Sequence, residues 1–348
     1  MPKTLGFSLY LSTFDQQWPT LKVWAGTEAP IFLSLHIGEE FDSTYCQRAR
    51  AICHSLAAFG FRTIADVSVK TLQQFGCDNL PELAKDLKLW GLRIDYGFSP
   101  EEIGEMARTM PIVLNASTMS PEDARRIAEN GREVFALHNF YPRPETGLDE
   151  EYLMETTQKL RAAGLSVQCF IPGDTLLRGP LHEGLPTLEQ HRHVLPSAAF
   201  VDLALRFGID DIFLADPGLS EKEQQRIAEF CKTGTICVPA RLDENWRHLY
   251  GRVFTCRIDS PKWLIRFQES RVYSCQGEIV EPHNCAQRRR GVITVDNKNY
   301  GRYSGELMLL REDLPADERV NVIGEVPENA WLLMDRIGRG AKFMLVEE

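Results

Sequence analysis

No run in this chain approaches the roughly 20 apolar residues of a membrane-spanning helix. Its first residues, MPKTLGFSLYLSTFDQQW, lack the basic start and long apolar core of a secretory signal. A soluble cytoplasmic protein without membrane partners is therefore expected. The nine cysteines are odd in number and scattered (46, 53, 77, 169, 231, 237, 256, 275, 285), with no CxxC pair. That excludes a disulfide framework and zinc-ligand spacing, and leaves reduced thiols used for packing. Excess positive charge is missing too: the formal net charge is -10, which argues against non-specific binding to nucleic acid or anionic membrane. Local basic sites for a small anion remain open. Low-complexity tracts and long like-charge blocks are absent, so nothing points to disorder.

What is present is a chain of 348 residues, 43% hydrophobic and 25% charged, a size that suits one large domain and a smaller one. Strand-like runs at 5–10, 31–36, 63–67, 92–95, 112–115, 134–138, 167–171 and 212–215 alternate with helical patterns at 43–59, 69–89 (broken near Pro81), 100–109, 121–130, 149–163, 187–207 and 221–231. Ser99-Pro100 and Ser120-Pro121 resemble a cap followed by a first-turn proline, and Gly131 and Gly164 fall where helices end. Such alternation predicts an α/β fold, a (β/α)8 TIM barrel over residues 1–233. The first unit is the poorest, with two prolines and a weak helical pattern in 15–30. From 234 to 348 the rhythm changes to short alternating strands, at 235–238, 253–257, 271–275, 291–295, 306–310 and 330–334. This predicts a small β-barrel joined without a flexible linker.

The stretch 91–98, GLRIDYGF, puts charge where a structural strand would be apolar. With a period of two, Arg93 and Asp95 share one face and Leu92 and Ile94 the other. In a TIM barrel the chemistry belongs at the C-terminal strand ends, which here carry Ser8 and Tyr10, His36, Asp66, Asp95, Asn115, His138 with Asn139, Pro172 with Gly173, and Asp216. Asp66 and Asp95 close neighbouring strands, with Arg93 near enough to pair with one of them. Two carboxylates in different settings can divide acid and base or nucleophile roles, the minimum equipment for glycosidic cleavage. An Arg–Asp network that merely stabilises the barrel is the structural alternative. No lysine sits at a strand end, which argues against Schiff-base chemistry. His36, Asp66, Asp95 and His138 could form a mixed metal site, but no spacing demands one, so neither metal nor cofactor is expected.

Two loops stand out. HNFYPRPETGL, 138–148, combines aromatic and polar groups suited to a sugar ring; a plain rigid loop is the competing reading. The connection 172–186 is long and glycine-rich, carries Arg178, and leads into Thr187 and Gln190, which read as a capping box opening a helix whose free N–H groups favour an anion. Glu183 and Glu189 are reserve carboxylates. The second region contributes Arg257, the run Arg288, Arg289 and Arg290, Asn297 and the segment 300–306. Arginine forks fit phosphate, while a solvated turn is the plain alternative for the triple arginine.

Taken together, LGFSLY (5–10), LRIDYGF (92–98), LNAS (114–117), HNFYPRPETGL (138–148), GLPTLEQHR (184–192) and YGRYSGEL (300–307) resemble the MupG-like 6-phospho-N-acetylmuramidase family. The resemblance implies a TIM barrel followed by a small cyclophilin-like β domain. It also implies a cytoplasmic enzyme of cell-wall recycling that cleaves N-acetylmuramic acid 6-phosphate from N-acetylglucosamine. Asp66, Asp95, Asn115, His138, Asn139, Glu189 and His191 match family positions in the barrel, and Arg257, Arg290 and Asn297 in the second domain. The chain departs at Tyr10-Leu11-Ser12, where the family commonly reads Tyr-Pro-Glu, and at His36 and Asp216.

The function expected is hydrolysis of a phosphorylated amino-sugar disaccharide, a small-molecule partner; a homo-oligomer is left open. Asp95 is the expected general acid/base. Asp66 is its partner, as nucleophile, as base, or by orienting the substrate's own 2-acetamido oxygen. Arg93 sits with the substrate-binding group as support for the carboxylates, Asn115, His138, Asn139 and Tyr141 would hold the sugar, and Glu189 joins them. Arg257 and Arg290, with Asn297 beside them, would reach from the second domain to the phosphate. A metal-dependent sugar-phosphate isomerase using His36 and His138, and a non-catalytic sugar-phosphate sensor, are the alternatives.

Overall fold

Strands of a parallel barrel are buried on both faces, so they read as short, nearly continuous apolar runs. β1 (Leu5–Leu9), β2 (Pro30–Ser34), β3 (Arg62–Val67), β4 (Gly91–Ile94), β5 (Ile112–Asn115), β6 (Val134–Leu137), β7 (Ser166–Ile171) and β8 (Asp211–Leu214) are of this kind. In the computed structural model they pair in sequence order into a closed barrel, sealed where Leu5 of β1 lies beside Ile212 of β8. All eight lie where the sequence places them, to within one or two residues at either end. The structure describes residues 2, 4–35, 43–275, 277 and 279–348, so the expected strand-end residue His36 lies outside the described residues. The chain divides into two compact units, Met1–Gln224 and Gln225–Glu348.

Side chains fill the barrel. Phe32, Ile64, Val113, Leu137, Phe170 and Phe213 belong to one buried cluster, with the Phe170 ring 5.2 Å from Phe32, 5.1 Å from Phe140 and 5.7 Å from Phe213. Gly6 makes room for it: a Cβ there would lie 2.5 Å from Cδ1 of Phe213.

The helices between strands are α1 (Phe14–Lys22), α2 (Tyr45–Ala58), α3 (Val69–Phe75), α4 (Leu80–Asp86), α5 (Pro100–Ala107), α6 (Pro121–Asn130), α7 (Glu150–Ala162) and α8 (Pro196–Leu205). The caps of α5 and α6 are those the sequence announces: Ser99 accepts from the N–H of Glu102 and Ser120 from that of Asp123, with proline in the first turn of each. The helix expected from residue 187 is a correction. Apart from a 3₁₀ turn at Glu189–His191, helix begins only at Pro196. The Thr187 hydroxyl caps nothing; it accepts from the N–H of Phe170 at 2.9 Å and donates to the carbonyl of Asn139 at 3.0 Å. The anion-binding helix start expected there therefore does not exist. α9 (Glu221–Thr233) carries the chain into the second unit.

The second unit is a seven-stranded sheet in the order β10-β15-β9-β14-β12-β13-β11. These strands are β9 (Ile236–Leu242), β10 (Val253–Thr255), β11 (Leu264–Arg266), β12 (Val292–Asp296), β13 (Leu307–Leu310), β14 (Val320–Glu325) and β15 (Lys342–Glu347). Pairing is antiparallel except between β9 and β15. The sheet curls until its edge strands meet, through a bridge between Cys256 and Phe267 and a bond from the Gln268 N–H to the Thr255 carbonyl, 2.9 Å. Phe254, Phe267 and Phe343 pack inside it, with centroids 4.7 to 5.9 Å apart.

Two expected strands here are helices, α10 (Ser270–Cys275) and α11 (Trp331–Arg336), and β11, β14 and β15 escaped the sequence pattern. Short apolar runs do not separate a period of two from one of 3.6. Non-local bonds decide: the Ser270 hydroxyl is donated to by Leu307 N–H at 3.0 Å, and the Arg311 guanidinium holds the α11 carbonyl of Met334 at 3.0 Å.

Packing against Phe213 predicts that Gly6→Ala costs about 1–3 kcal/mol by overpacking. Gly104 of α5 has nothing within 4 Å of an added Cβ, and Gly104→Ala is expected to stabilise by about 0.5–1 kcal/mol. Urea unfolding of both variants checks the opposite signs.

Candidate functional site

Register places the polar side chains. Asp66 of β3 lies beside Arg93 of β4, and Ser34 of β2 beside Asp66, while the apolar neighbours of Arg93, Leu92 and Ile94, are buried. Arg93 is 4% exposed, and burial of that kind is tolerable only with close partners. Its Nη1 lies 2.7 Å from Oδ1 of Asp66 and 3.6 Å from Oδ1 of Asp95, and its Nη2 donates to Oδ1 of Asn139 at 2.5 Å. The Asn115 amide donates to the same Asp95 oxygen at 3.2 Å. One guanidinium thus gathers groups from β3, the end of β4 and the loop after β6. Asp66 is almost buried, whereas 27% of the Asp95 side chain is exposed.

Asp66, Arg93 and Asn139 line a cavity of about 310 Å³ with Ser34, Tyr141, Arg178 and the rings of Phe32, Phe140 and Phe170. Asp95 and Asn115 adjoin it through the contacts just given. A floor of charge under aromatic walls can hold a ring and address its polar substituents.

Three expected site residues are placed differently. His138 alternates with Leu137 and Asn139, is fully buried, does not line the cavity, and neither ring nitrogen has a hydrogen-bond partner among the described residues. Burial pushes its pKa down to about 4, so at neutral pH it is an uncharged packing residue. Glu189 is a clamp between loops. Its carboxylate accepts from the N–H groups of Glu145 and Gly147, 2.8 Å each, and from both sides of the Arg192 fork at 2.6 and 2.8 Å. The Arg192 guanidinium, then those two N–H groups, hold its pKa down at about 2. A carboxyl so engaged is a poor proton donor, and the reserve Glu183 is present only through its carbonyl, which accepts from Arg192 at 3.2 Å, and a long contact to His193. His191 is buried, with Nε2 2.8 Å from Asp202, and serves packing of α8.

Asp216 organises the loop after β7. Buried, it accepts from the N–H groups of Gly173, Arg178 and Leu185 at 2.9 to 3.0 Å, and burial raises its pKa. Arg178, in the loop the sequence singles out, lines the cavity without having been assigned to the site, as do Ser34 and the three rings. An arginine alone among glycine, leucine and proline was the one available signal. Among the described residues no group of three His, Cys, Asp or Glu side chains is arranged to hold a metal ion, and no helix is long and apolar enough to cross a membrane.

In the second unit the expected phosphate ligands have partners of their own. Arg257 forks onto Asp259 at 2.7 and 2.8 Å. Arg290 donates through Nη2 to both carboxylate oxygens of Asp335, at 2.9 and 3.0 Å, and lies over the Trp331 ring. Asn297 is buried, donating to Asn321 at 2.8 Å and to the Glu318 carbonyl at 2.9 Å.

A closed eight-stranded parallel barrel that gathers two carboxylates, a guanidinium and two amides at its C-terminal mouth is a TIM barrel, with its polar cluster where barrels of this class carry their chemistry. The chain belongs to the 6-phospho-N-acetylmuramidase family: the family's N-terminal region matches residues 5–229 and its C-terminal region residues 235–346. It is similar to the crystal structure of a conserved Enterococcus faecalis protein of unknown function, with 31% identity, a TM-score of 0.86, and 99% of this chain and 96% of that one covered. An uncharacterized B. cereus protein shares the fold at 22% identity and a TM-score of 0.79, with both chains covered completely. None of the curated proteins compared with the chain matches it.

Two predictions follow from side chains that pack rather than react. His138 has a folded pKa of about 4 against roughly 6.5 when unfolded. The unfolded chain alone takes up that proton, so its contribution is whole above pH ~6.5 and falls by on the order of 3 kcal/mol towards pH ~4. His138→Leu should flatten that part of the stability–pH profile, and an unchanged slope counts against it. Glu189→Gln removes the charge that the two N–H groups and Arg192 address. Hydrogen exchange at the Glu145 and Gly147 amides should then speed up by about tenfold or more, as for a charge-assisted bond worth roughly 1.5–3 kcal/mol.

Proposed function

We propose that the protein is a glycoside hydrolase whose substrate is a 6-phosphorylated amino-sugar disaccharide, N-acetylmuramic acid 6-phosphate linked to N-acetylglucosamine, serving cell-wall recycling in the cytoplasm. On this reading the curled second sheet corresponds to the family's cyclophilin-like domain. Family membership supports the substrate class. The observation that carries the reading is the meeting of Asp66 and Asp95 on one nitrogen of Arg93, at 2.7 and 3.6 Å, beside an aromatic-walled cavity.

Asp95, the more exposed carboxyl, is the general acid that protonates the leaving sugar's oxygen and then the base that activates water. Asp66, held under it by Arg93, faces the positive charge that develops at the anomeric carbon, either attacking it or orienting the 2-acetamido oxygen that does. Since both carboxylates touch Nη1, their facing oxygens lie no further apart than those two contacts end to end. Their closeness favours a retaining geometry over the wider spacing, roughly 6.5–9.5 Å between carboxyl groups, that admits a water in inverting enzymes. Asn115 fixes the Asp95 carboxylate, and Asn139 and Tyr141 border the sugar.

The test is incubation of the full chain with phosphorylated and unphosphorylated muramyl disaccharides. Cleavage of the phosphorylated one, with the first-formed anomer retained by NMR, is expected, and Asp95→Asn should slow it by about 10²–10⁴-fold in a variant shown to be folded by circular dichroism. A fully active Asp95→Asn sinks the acid assignment. A disaccharide left intact after long incubation sinks the hydrolase and favours a sensor.

A further inference from the structure

Arg178 lines two of the cavities on the barrel unit. One is the cavity over Asp66 and Arg93, of about 310 Å³. The other, of about 440 Å³, lies between the residues following β1, including Tyr10, Ser12 and Thr13, and the loop after β7. The guanidinium of Arg178 forms no ion pair among the described residues. It lies over the Tyr10 ring, its carbon 4.4 Å from the centroid. Asp216 feels its charge, but the oxygens of Asp216 are occupied by three backbone N–H groups, one of them that of Arg178 itself.

This differs from the other arginines considered. Arg93 is engaged by Asp66, Asp95 and Asn139, Arg192 by Glu189 and loop carbonyls, Arg257 by Asp259, and Arg290 by Asp335. At Arg178 the backbone is pinned by a buried carboxylate and the side chain is stacked on an aromatic face. The Tyr10 ring and its hydroxyl, which also takes a hydrogen bond from Arg178, restrain the guanidinium and leave its remaining N–H groups for an oxyanion. A cation at the junction of two cavities, with no carboxylate paired to it among the described residues, is arranged for an anion that arrives with the ligand.

We propose that Arg178 is the residue that recognises the phosphate monoester of the substrate, so that phosphate selection is built into the loop after β7 of the barrel unit rather than depending on Arg257 or Arg290. The sugar ring then occupies the cavity over Asp66, and its phosphate sits at the junction. This rests on the hydrolase reading for the identity of the sugar, but the anion site is testable without turnover.

The experiment is calorimetric binding of three probes to the full chain: N-acetylglucosamine 6-phosphate, N-acetylglucosamine, and N-acetylmuramic acid, which carries a carboxylate but no phosphate. Wild-type protein should prefer the phosphorylated probe. Arg178→Met should weaken that probe by about 10- to 100-fold, the range of a charge-assisted hydrogen bond, and leave N-acetylglucosamine unchanged. Arg178→Lys, keeping charge without the fork, should lose about tenfold or less, and it serves alone if Arg178→Met does not fold.

Equal weakening of phosphorylated and plain probes, unaltered binding of the phosphorylated one, or no wild-type preference for phosphate overturns the assignment. If N-acetylmuramic acid weakens as much as the phosphorylated probe, the site reads carboxylate and the phosphate proposal fails. Disaccharide cleavage is scored separately. Cleavage without this binding pattern overturns Arg178 alone, and the binding pattern without cleavage overturns the hydrolase alone.

Discussion

A buried guanidinium is the constraint around which the barrel mouth is arranged. Taking Arg93 out of water is costly, and only close partners on several sides make the position tolerable. The structure supplies them from three places, Asp66 on β3, Asp95 past the end of β4 and Asn139 past β6. Each partner is held in turn: Asp95 through Asn115 and through its own N–H to the Val67 carbonyl, Asn139 through the Thr187 hydroxyl on its carbonyl. The same requirement that satisfies the arginine therefore brings two carboxylates together beside a cavity. Stabilising an interior charge and bringing two carboxylates together at the barrel mouth are here one arrangement.

Around this floor, carboxylates that resemble catalytic groups on paper organise backbone instead. Glu189 and Arg192 tie the loop after β6 to the loop after β7, and Asp216 gathers three N–H groups of the latter. Loops that would otherwise have many conformations acquire fixed walls, at the expense of the acids' own reactivity. Fixed walls matter to a hydrolase because alignment of sugar and carboxyl is much of the rate. Pinning the backbone of Arg178 by the same Asp216 extends that order to a cation with no carboxylate bound to it among the described residues.

The second unit follows a different logic. Its curled sheet closes on three phenylalanines, and its arginines are absorbed locally, Arg257 by Asp259 and Arg290 by Asp335. Arginine in an acidic chain does suggest an anion to be bound, but acidic neighbours supply that anion from within the fold.

The sequence by itself determined the barrel, its eight strands and the carboxylates at its mouth. Strands buried on both faces must be apolar runs of limited length, and the charges of 91–98 break that rule visibly at Arg93 and Asp95. Ser99 and Ser120 were legible as caps because a cap is a local bond. Tertiary structure decided what depends on distant atoms. Thr187 looks like a cap but bonds to Phe170 and Asn139, residues 270–275 and 331–336 became helices under bonds from elsewhere, and β11 is only three residues long, while β14 and β15 are fixed by pairing with distant strands. His138 turned out buried because one residue of register reverses a strand's faces. Glu189 lost its proton-donor character to neighbours that folding brought to it, and Arg178 gained its place because two cavities meet where a loop passes. Local pattern selects the scaffold; which side chain stands without a partner is settled only when the chain has closed on itself.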